Sequence, residues 1–235
     1  MKKTPQILVI DIGGNNVKLF ASGAKEPRRF PSGPKLTPRQ MVQEVKKITA
    51  DWKYQVISIG YPGLVRKGRI VRDPKNLASG WIGFNFVRAF GRPVQIVNDA
   101  AMQALGSYRG GRMLFLGLGT GLGSALIAEG VLEPMELAHL PYRKGRTFED
   151  YVGQRGIDRL GKNKWQKHVF TVVAALRAAL EPEYIVLGGG NTKYLQQLPP
   201  GTQPGKNENA FEGGFRMWEF TKNGTHRPTK QLILH

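Results

Sequence analysis

Three short turns in this 235-residue chain combine glycine with residue types that handle phosphate and protons: Asp11-Ile12-Gly13-Gly14, the run from Gly117 to Gly123, and Gly188-Gly189-Gly190. Each follows an apolar run. Glycine lets backbone N–H groups approach phosphate oxygens closely, so such turns can cradle an oligophosphate. A single one is ordinary hairpin geometry. Three of them, with Asp11 in the first and a further acid in Asn98-Asp99, point instead to a site that holds phosphate. Asn98-Asp99 also has the form of a helix N-cap, a role compatible with catalysis.

Two other phosphate motifs fail on context. The Gly117–Gly123 run has Leu122 and Ser124 where a dinucleotide fingerprint needs its last glycine, and strand rather than helix is expected to follow. Gly156 to Asn163 imitates a P-loop, but Asn163 stands where Ser or Thr would hold magnesium and no strand precedes it. The Glu136/His139 pair resembles half of a helical metal site, and no third ligand of matching spacing accompanies it.

The elements that must position these residues can be read from periodicity. Gln6 to Asp11 and Val17 to Phe20 form a hairpin around the first glycine turn. A helix is expected from Thr37 to about Thr49, with Met41, Val45 and Ile48 on one face. Val56 to Gly60 is a strand ended by Pro62-Gly63. Val94 to Val97 is a strand that runs into Asn98-Asp99, and Ala100 to Tyr108 is helical, which puts Asp99 at a strand-to-helix junction. Met113 to Leu118 and Ser124 to Ala128 repeat the first hairpin roughly a hundred residues later, suggesting two related halves. A loop rich in charge and glycine leads to an amphipathic helix from Val169 to Leu180 and a strand from Tyr184 to Leu187. Residues 199–214 read as an irregular loop before a short helix at Phe215 to Phe220, and Thr221 to His235 as a frayed tail.

Composition bounds the rest. The chain has no cysteine, which excludes disulfides, cysteine nucleophiles and cysteine-ligated metal centres and suits a reducing compartment. The apolar run Ile7–Ile10 is stopped by Asp11, so it is a strand and not a signal peptide, and no stretch is long enough to span a bilayer. A soluble, cytoplasmic protein with no membrane partner is expected. With 35 Lys plus Arg against 17 Asp plus Glu the net charge is +18. Such an excess suits either a polyanionic ligand or a heavily solvated surface. The cations are scattered and no aromatic-interleaved platform accompanies them, so no specific nucleic-acid partner is expected.

The order of these motifs resembles the ROK family of sugar kinases: Asp11-Ile12-Gly13-Gly14, Lys75-Asn76-Leu77 with Gly80-Trp81, Asn98-Asp99-Ala100, Gly117-Leu118-Gly119-Thr120-Gly121, Glu136-Leu137-Ala138-His139 and Leu187-Gly188-Gly189-Gly190. The likeness runs to about Glu219. Lys18, the segment Glu149-Asp150-Tyr151-Val152-Gly153, and Asn209-Ala210-Phe211 with Gly213-Gly214-Phe215-Arg216 resemble its polyphosphate glucokinase branch.

The resemblance implies an α/β fold of the actin-like, hexokinase-like (ribonuclease H-like) type, two lobes with a central cleft. The smaller N-terminal lobe would span residues 1–108 and the larger C-terminal lobe 109–220, its last helix packing back on the first. It implies phosphoryl transfer to the 6-hydroxyl of glucose or a similar hexose, with polyphosphate, ATP or both as donor; a strictly ATP-dependent hexokinase is the alternative. Asp99 would be the general base. Asn76, Asn98, Asp99, Glu136, His139 and Glu149 would bind the sugar, side chains suited to hydroxyl groups. Asp11, Gly13, Gly14, Asn15, Lys18, Gly119, Thr120, Gly121, Gly188, Gly189 and Gly190 would hold donor phosphates, and Asp11 would place Mg2+ through water. A homodimer is expected, since dimers are common in the family.

The departures count as well. Many members carry a cysteine-rich zinc loop after the Glu-x-x-His pair, whereas Leu140 to Phe148 has no cysteine, so no zinc is expected. His139 is then left to bind sugar or a neighbouring carboxylate, or to be structural. Asn76 also fits a turn and Trp81 the core. The family includes sugar-responsive repressors, but Asp11 stands too near the start of this sequence for a preceding helix-turn-helix. A polyanion- or nucleic-acid-binding protein on the same fold would not need to keep Asp11 and Asp99.

Overall fold

The computed structural model describes residues 5–206 and 208–218 and the backbone of Ile233–Leu234. In chain order the first half contains β1 (Ile7–Ile12), β2 (Asn16–Ala21), β3 (Arg28–Pro31), α1 (Pro38–Ile48), β4 (Val56–Tyr61), β5 (Val65–Arg66), β6 (Arg69–Ile70), α2 (Phe86–Phe90), β7 (Val94–Asn98) and α3 (Asp99–Ser107). The second contains β8 (Met113–Leu118), β9 (Leu122–Ala128), β10 (Val131–Met135), α4 (Phe148–Val152), α5 (Gln154–Leu160), α6 (Lys162–Leu180), β11 (Tyr184–Gly188), β12 (Thr202–Pro204), α7 (Asn209–Arg216) and β13 (Ile233–Leu234).

The two halves repeat one sheet. The first runs β3-β2-β1-β4-β7, with β1, β4 and β7 parallel and β2 and β3 antiparallel additions. Read from its other edge, the second repeats this as β10-β9-β8-β11-β12, with β8, β11 and β12 parallel and β9 and β10 joined antiparallel, and the backbone of β13 extends it beside β10. The hairpin repetition seen in the sequence is thus a repetition of the whole sheet.

Alternation along the central strands explains how the layers stack. In β1, Leu8, Ile10 and Ile12 face an outer core with α1 and α2, while Ile7 and Val9 face an inner core. In β8, Leu114, Leu116 and Leu118 face the outer helices α4, α5 and α6, while Met113 and Phe115 face the same inner core. Strands covered on both faces read as continuous apolar runs, which is why β1, β4 and β8 were legible. Helices α3 and α7 fill the inner layer, α3 against β8 and β9 and α7 against β1 and β4.

Local signals start and stop these elements. Thr37 caps α1 in a capping box with Gln40, and Pro38 opens the helix with no N–H to satisfy. At α7 the local signal misleads. The Pro, Gly and Asn of residues 199–214 suggest a loop, yet this segment contains β12 and, from Asn209, most of α7. The reason is tertiary. Gly213 faces α3 so closely that a Cβ there would run into the Met102 carbonyl oxygen and stand 3.0 Å from the Gly106 nitrogen. Ser58 on β4 donates to the Gly214 carbonyl at 2.6 Å and holds the same turn from the other side.

The charged loop expected after Ala128 is also structured, as β10, α4, α5 and the first turns of α6, which begins at Lys162 rather than Val169. The tail expected over Thr221 to His235 lies outside the described residues, apart from the β13 backbone.

The α3–α7 crossing predicts a sign. Replacing a helical glycine by alanine normally stabilises by up to about 1 kcal/mol. Gly213→Ala should instead destabilise, by about 1–3 kcal/mol as overpacking, seen as a lower urea midpoint with an unchanged slope. An unchanged or higher midpoint would show that the helices do not meet there.

Candidate active site

The parallel strands of both sheets deliver their carboxyl ends to one crevice, where ligands of open α/β sheets bind. From the first sheet come Gly14 beyond β1, Pro62-Gly63 beyond β4 and Asn98-Asp99 beyond β7; from the second come Gly119, Thr120 and Gly121 beyond β8 and Gly189 beyond β11. The cavity between them is about 740 Å³.

Asp99 is the first residue of α3. Asn98 caps that helix, its side-chain oxygen accepting from the Ala100 N–H at 2.9 Å and the Ala101 N–H at 3.3 Å. The Asn98 amide also donates to the Gly63 carbonyl at 3.0 Å, leaving one amide N–H for a ligand. Asp99 accepts from the Ala100 N–H at 2.8 Å. A helix N-terminus favours an ionised carboxylate, but burial and then the nearby Asp11 charge outweigh it. Together they push the Asp99 carboxyl up to about 7.

Asp11 lies at the end of β1, directly across the hairpin from Lys18, whose ammonium is 3.7 Å from its carboxylate. Burial raises the Asp11 carboxyl above its ordinary range, and Lys18 offsets part of that rise. Gly13 is committed to the turn itself: its N–H donates to the Asn16 carbonyl at 3.0 Å, and its carbonyl accepts from Ser32 at 2.7 Å. Asn15 likewise accepts from the Ser32 N–H at 3.0 Å.

The remaining expected residues divide by position. Asn76, Glu136, His139 and Glu149 line the crevice with Asn98 and Asp99, as do Gly14, Gly119, Thr120, Gly121 and Gly189. Asp11, Gly13, Asn15, Lys18, Gly188 and Gly190 are not among the residues that line it. Glu136 and His139 flank a short 3-10 turn and approach each other at 3.5 Å, both about half exposed. Glu149, on α4, packs against Gly121 so tightly that a Cβ there would overlap its carboxylate. This acid and the second glycine turn are therefore built against each other.

Periodicity missed several residues of this wall. Arg155 donates to Glu149 at 2.9 Å and lies 3.4 Å from Asp150. The Gln154 N–H reaches the Gly119 and Thr120 carbonyls at 3.0 and 3.2 Å, which seats α5 on the turn. Asp73 accepts from the Trp81 N–H at 2.9 Å and so shapes the loop that carries Asn76. The only signal for Arg155 was its place six residues after Glu149, and a charged segment without periodicity hides such a pair.

The cysteine-free loop after His139 is held by rings. Tyr142 packs edge-on against Phe148, Tyr151 and His168, and its hydroxyl lies 3.1 Å from His168 Nδ1. Burial, with Arg143 and Arg159 nearby, holds that imidazole below its usual range and hence neutral at pH 7. Among the described residues no group of three or more His, Cys, Asp or Glu could hold a metal ion, and no helix is long and apolar enough to cross a membrane.

No protein-family model matches the chain. It is 28% identical over 216 residues to the polyphosphate glucokinase of Mycobacterium tuberculosis (strain ATCC 25618 / H37Rv), covering 81% of this chain and 80% of that protein. Its fold matches the inorganic polyphosphate/ATP-glucomannokinase from Arthrobacter sp. strain KM with a TM-score of 0.78 at 24% identity, over 92% of this chain and 98% of that one. It also matches a ROK family glucokinase from Streptomyces griseus, solved in complex with glucose and AMPPNP, with a TM-score of 0.66 at 16% identity over 97% and 94% of the two chains. In fold and motif order this chain is similar to the ROK-family sugar kinases, with the two-lobed actin-like fold, and in sequence it is similar to polyphosphate glucokinases.

Proposed function

We propose that this chain transfers a phosphoryl group to the 6-hydroxyl of glucose or a similar hexose, with inorganic polyphosphate, ATP or both as donor. The observation that carries this reading is Asp99, a carboxylate in the wall of the crevice, facing the same space as the Gly119–Gly121 turn, with its pKa pushed up to about 7. A group that titrates at the working pH can both accept and release a proton efficiently. The names of the polyphosphate glucokinase and glucomannokinase relatives support the same acceptor and donor.

In this mechanism Asp99 accepts the proton of the sugar 6-hydroxyl as that oxygen bonds to the terminal phosphorus. The bond from phosphorus to the bridging oxygen breaks, and the shortened donor leaves with the electron pair. Thr120, Gly121 and Gly14 border the donor phosphates, with Lys18 balancing Asp11 behind them. Asn76, Glu136, His139, Glu149 and the remaining Asn98 N–H hold the other sugar hydroxyls. Asp11 is a buried carboxylate with a single cation beside it, a donor set that fits magnesium held largely by water and substrate phosphate; when bound, the ion would neutralise charge on the donor. Residues 1–108 and 109–220 serve as the two lobes of a cytoplasmic enzyme that pairs as a homodimer.

A donor-by-sugar activity matrix tests the reading: hexose 6-phosphate should form from glucose with polyphosphate alone, at a rate that falls steeply with added salt. Turnover with nucleotide only would remove the polyphosphate donor and leave the kinase; no turnover with either donor would remove both.

Asp99→Asn should lower kcat by about 10²–10⁴ while glucose binding, read by calorimetry, is kept. Near-normal kcat would remove the base assignment. Because the folded pKa is raised, the ionised form destabilises the fold, so this contribution to stability falls as pH rises from about 4 to 7. The variant should therefore melt above wild type at pH 8 and close to it at pH 4.

The pH profile gives a separate check: kcat/KM should fall on the acid side with an apparent pKa near 7, where Asp99 becomes protonated. A limb near 4 would mean that the carboxyl is not perturbed in the working enzyme.

A further inference from the structure

The β5–β6 hairpin is a concentration of positive charge that the reaction as described does not use. Its residues Val65-Arg66-Lys67-Gly68-Arg69-Ile70 bury Val65 and Ile70 and expose the rest. Arg66 and Arg69 are directly opposite each other in the register. Like charges in that position repel and weaken a sheet pair. Between them Lys67 (φ 49) and Gly68 (φ 69) make the turn, with lysine at a left-handed position that Asn or Asp usually fills. Arg72 and Lys75 continue the series along the following segment, both exposed. Among the described residues none of these five cations takes part in an ion pair. An ordinary solvated hairpin intersperses acids with its bases. Here the one acid in the sequence from Val65 to Lys75, Asp73, accepts from the Trp81 N–H.

The cations also lead somewhere. Lys67 and Arg69 line a cavity of about 660 Å³ that has Asn98 in its wall, and Asn98 lines the catalytic crevice as well. Arg72 and Lys75 line the crevice itself. The series therefore runs from an exposed turn to the place where the phosphoryl group is transferred.

We propose that this hairpin, with Arg72 and Lys75, is the docking track for the chain of a linear polyphosphate whose end is consumed in the crevice. The inference rests on the polyphosphate reading above and adds the site that holds the rest of the donor. A polyanion with charge at every repeat relieves the Arg66–Arg69 repulsion and needs only exposed cations in a row. From Val65 to Lys75 there is no aromatic side chain on which a base could stack, which favours an inorganic polyanion over nucleic acid.

The test is the double variant Arg66→Gln/Arg69→Gln, compared with wild type using chains on the order of a hundred phosphates, tripolyphosphate and ATP. Removing two phosphate contacts should reduce the slope of log affinity against log salt by about two and raise KM for the long chain about tenfold at low salt. KM for tripolyphosphate, ATP and glucose should stay unchanged, and the melting temperature should be unchanged or higher, because the repulsion is gone. An unchanged long-chain KM and slope overturns the track, and so does an equal loss with tripolyphosphate. Calorimetric titration of long-chain polyphosphate without sugar separates the two readings: binding that the variant weakens, without turnover in wild type, removes the donor and keeps the track. Random single-stranded DNA that binds wild type as tightly at physiological salt, and is weakened equally by the variant, would overturn polyphosphate in favour of nucleic acid.

Discussion

Two neighbouring carboxylates, Asp11 buried and Asp99 half-buried in the wall of a crevice, set the terms for the rest of the molecule. The Asp11 charge adds to the cost of ionising Asp99, which backbone N–H groups partly offset, while Lys18, at 3.7 Å, offsets part of the cost of burial at Asp11. Neither acid is placed by its own neighbours alone. Asp11 ends a strand covered on both faces, and Asp99 begins a helix clamped between two sheets. The inner layer of α3 and α7 is therefore what fixes the distance between the two halves at the site. In that layer Gly213 lets α7 lie directly against α3, and strand ends from both sheets line one cavity.

Duplication of the sheet gives this arrangement its economy. Each half presents a hairpin whose first strand ends in a glycine turn, β1-β2 and β8-β9, and each adds parallel strands on the same side. Stacking the copies face to face across α3 and α7 brings the carboxyl ends of β1, β4, β7, β8 and β11 together. The chemistry is then divided: the first sheet supplies both carboxylates, and the second supplies the Thr120 turn with Glu149 pressed against Gly121.

What was legible in the sequence follows from the same physics. Strands buried on both faces are continuous apolar runs, so β1, β4 and β8 stood out, and the Asn98-Asp99 junction followed from the end of β7. The Thr37 start of α1 was visible because its cap is local. Elements made by tertiary contact were not. Gly213 and Gly214 read as loop because glycine is a poor helix former, yet a helix crossing this close can use nothing larger. Helices α4 and α5 are five and seven residues long, too short to show a period. Arg155 matters through a bond to Glu149 that no spacing rule predicts. The motif order located the crevice, but it did not reveal that the Gly13 N–H donates to the Asn16 carbonyl within the turn.

A crevice with Asp99 in its wall and Asp11 buried nearby is badly suited to receive a polyanion. Lys18 compensates only one of the acids, and Arg155 is already engaged by Glu149 and Asp150. Positive charge for the incoming donor must therefore come from outside the reacting centre. The net charge of +18 supplies it in quantity, but quantity falls off within a Debye length and guides nothing unless it is arranged. On the β5–β6 hairpin it is arranged, at the expense of local stability, as two arginines opposed in register beside the cavity that shares Asn98 with the crevice. Opposed like charges make sense where the energy that completes them arrives with the ligand, as it would with the polyanion proposed for this hairpin.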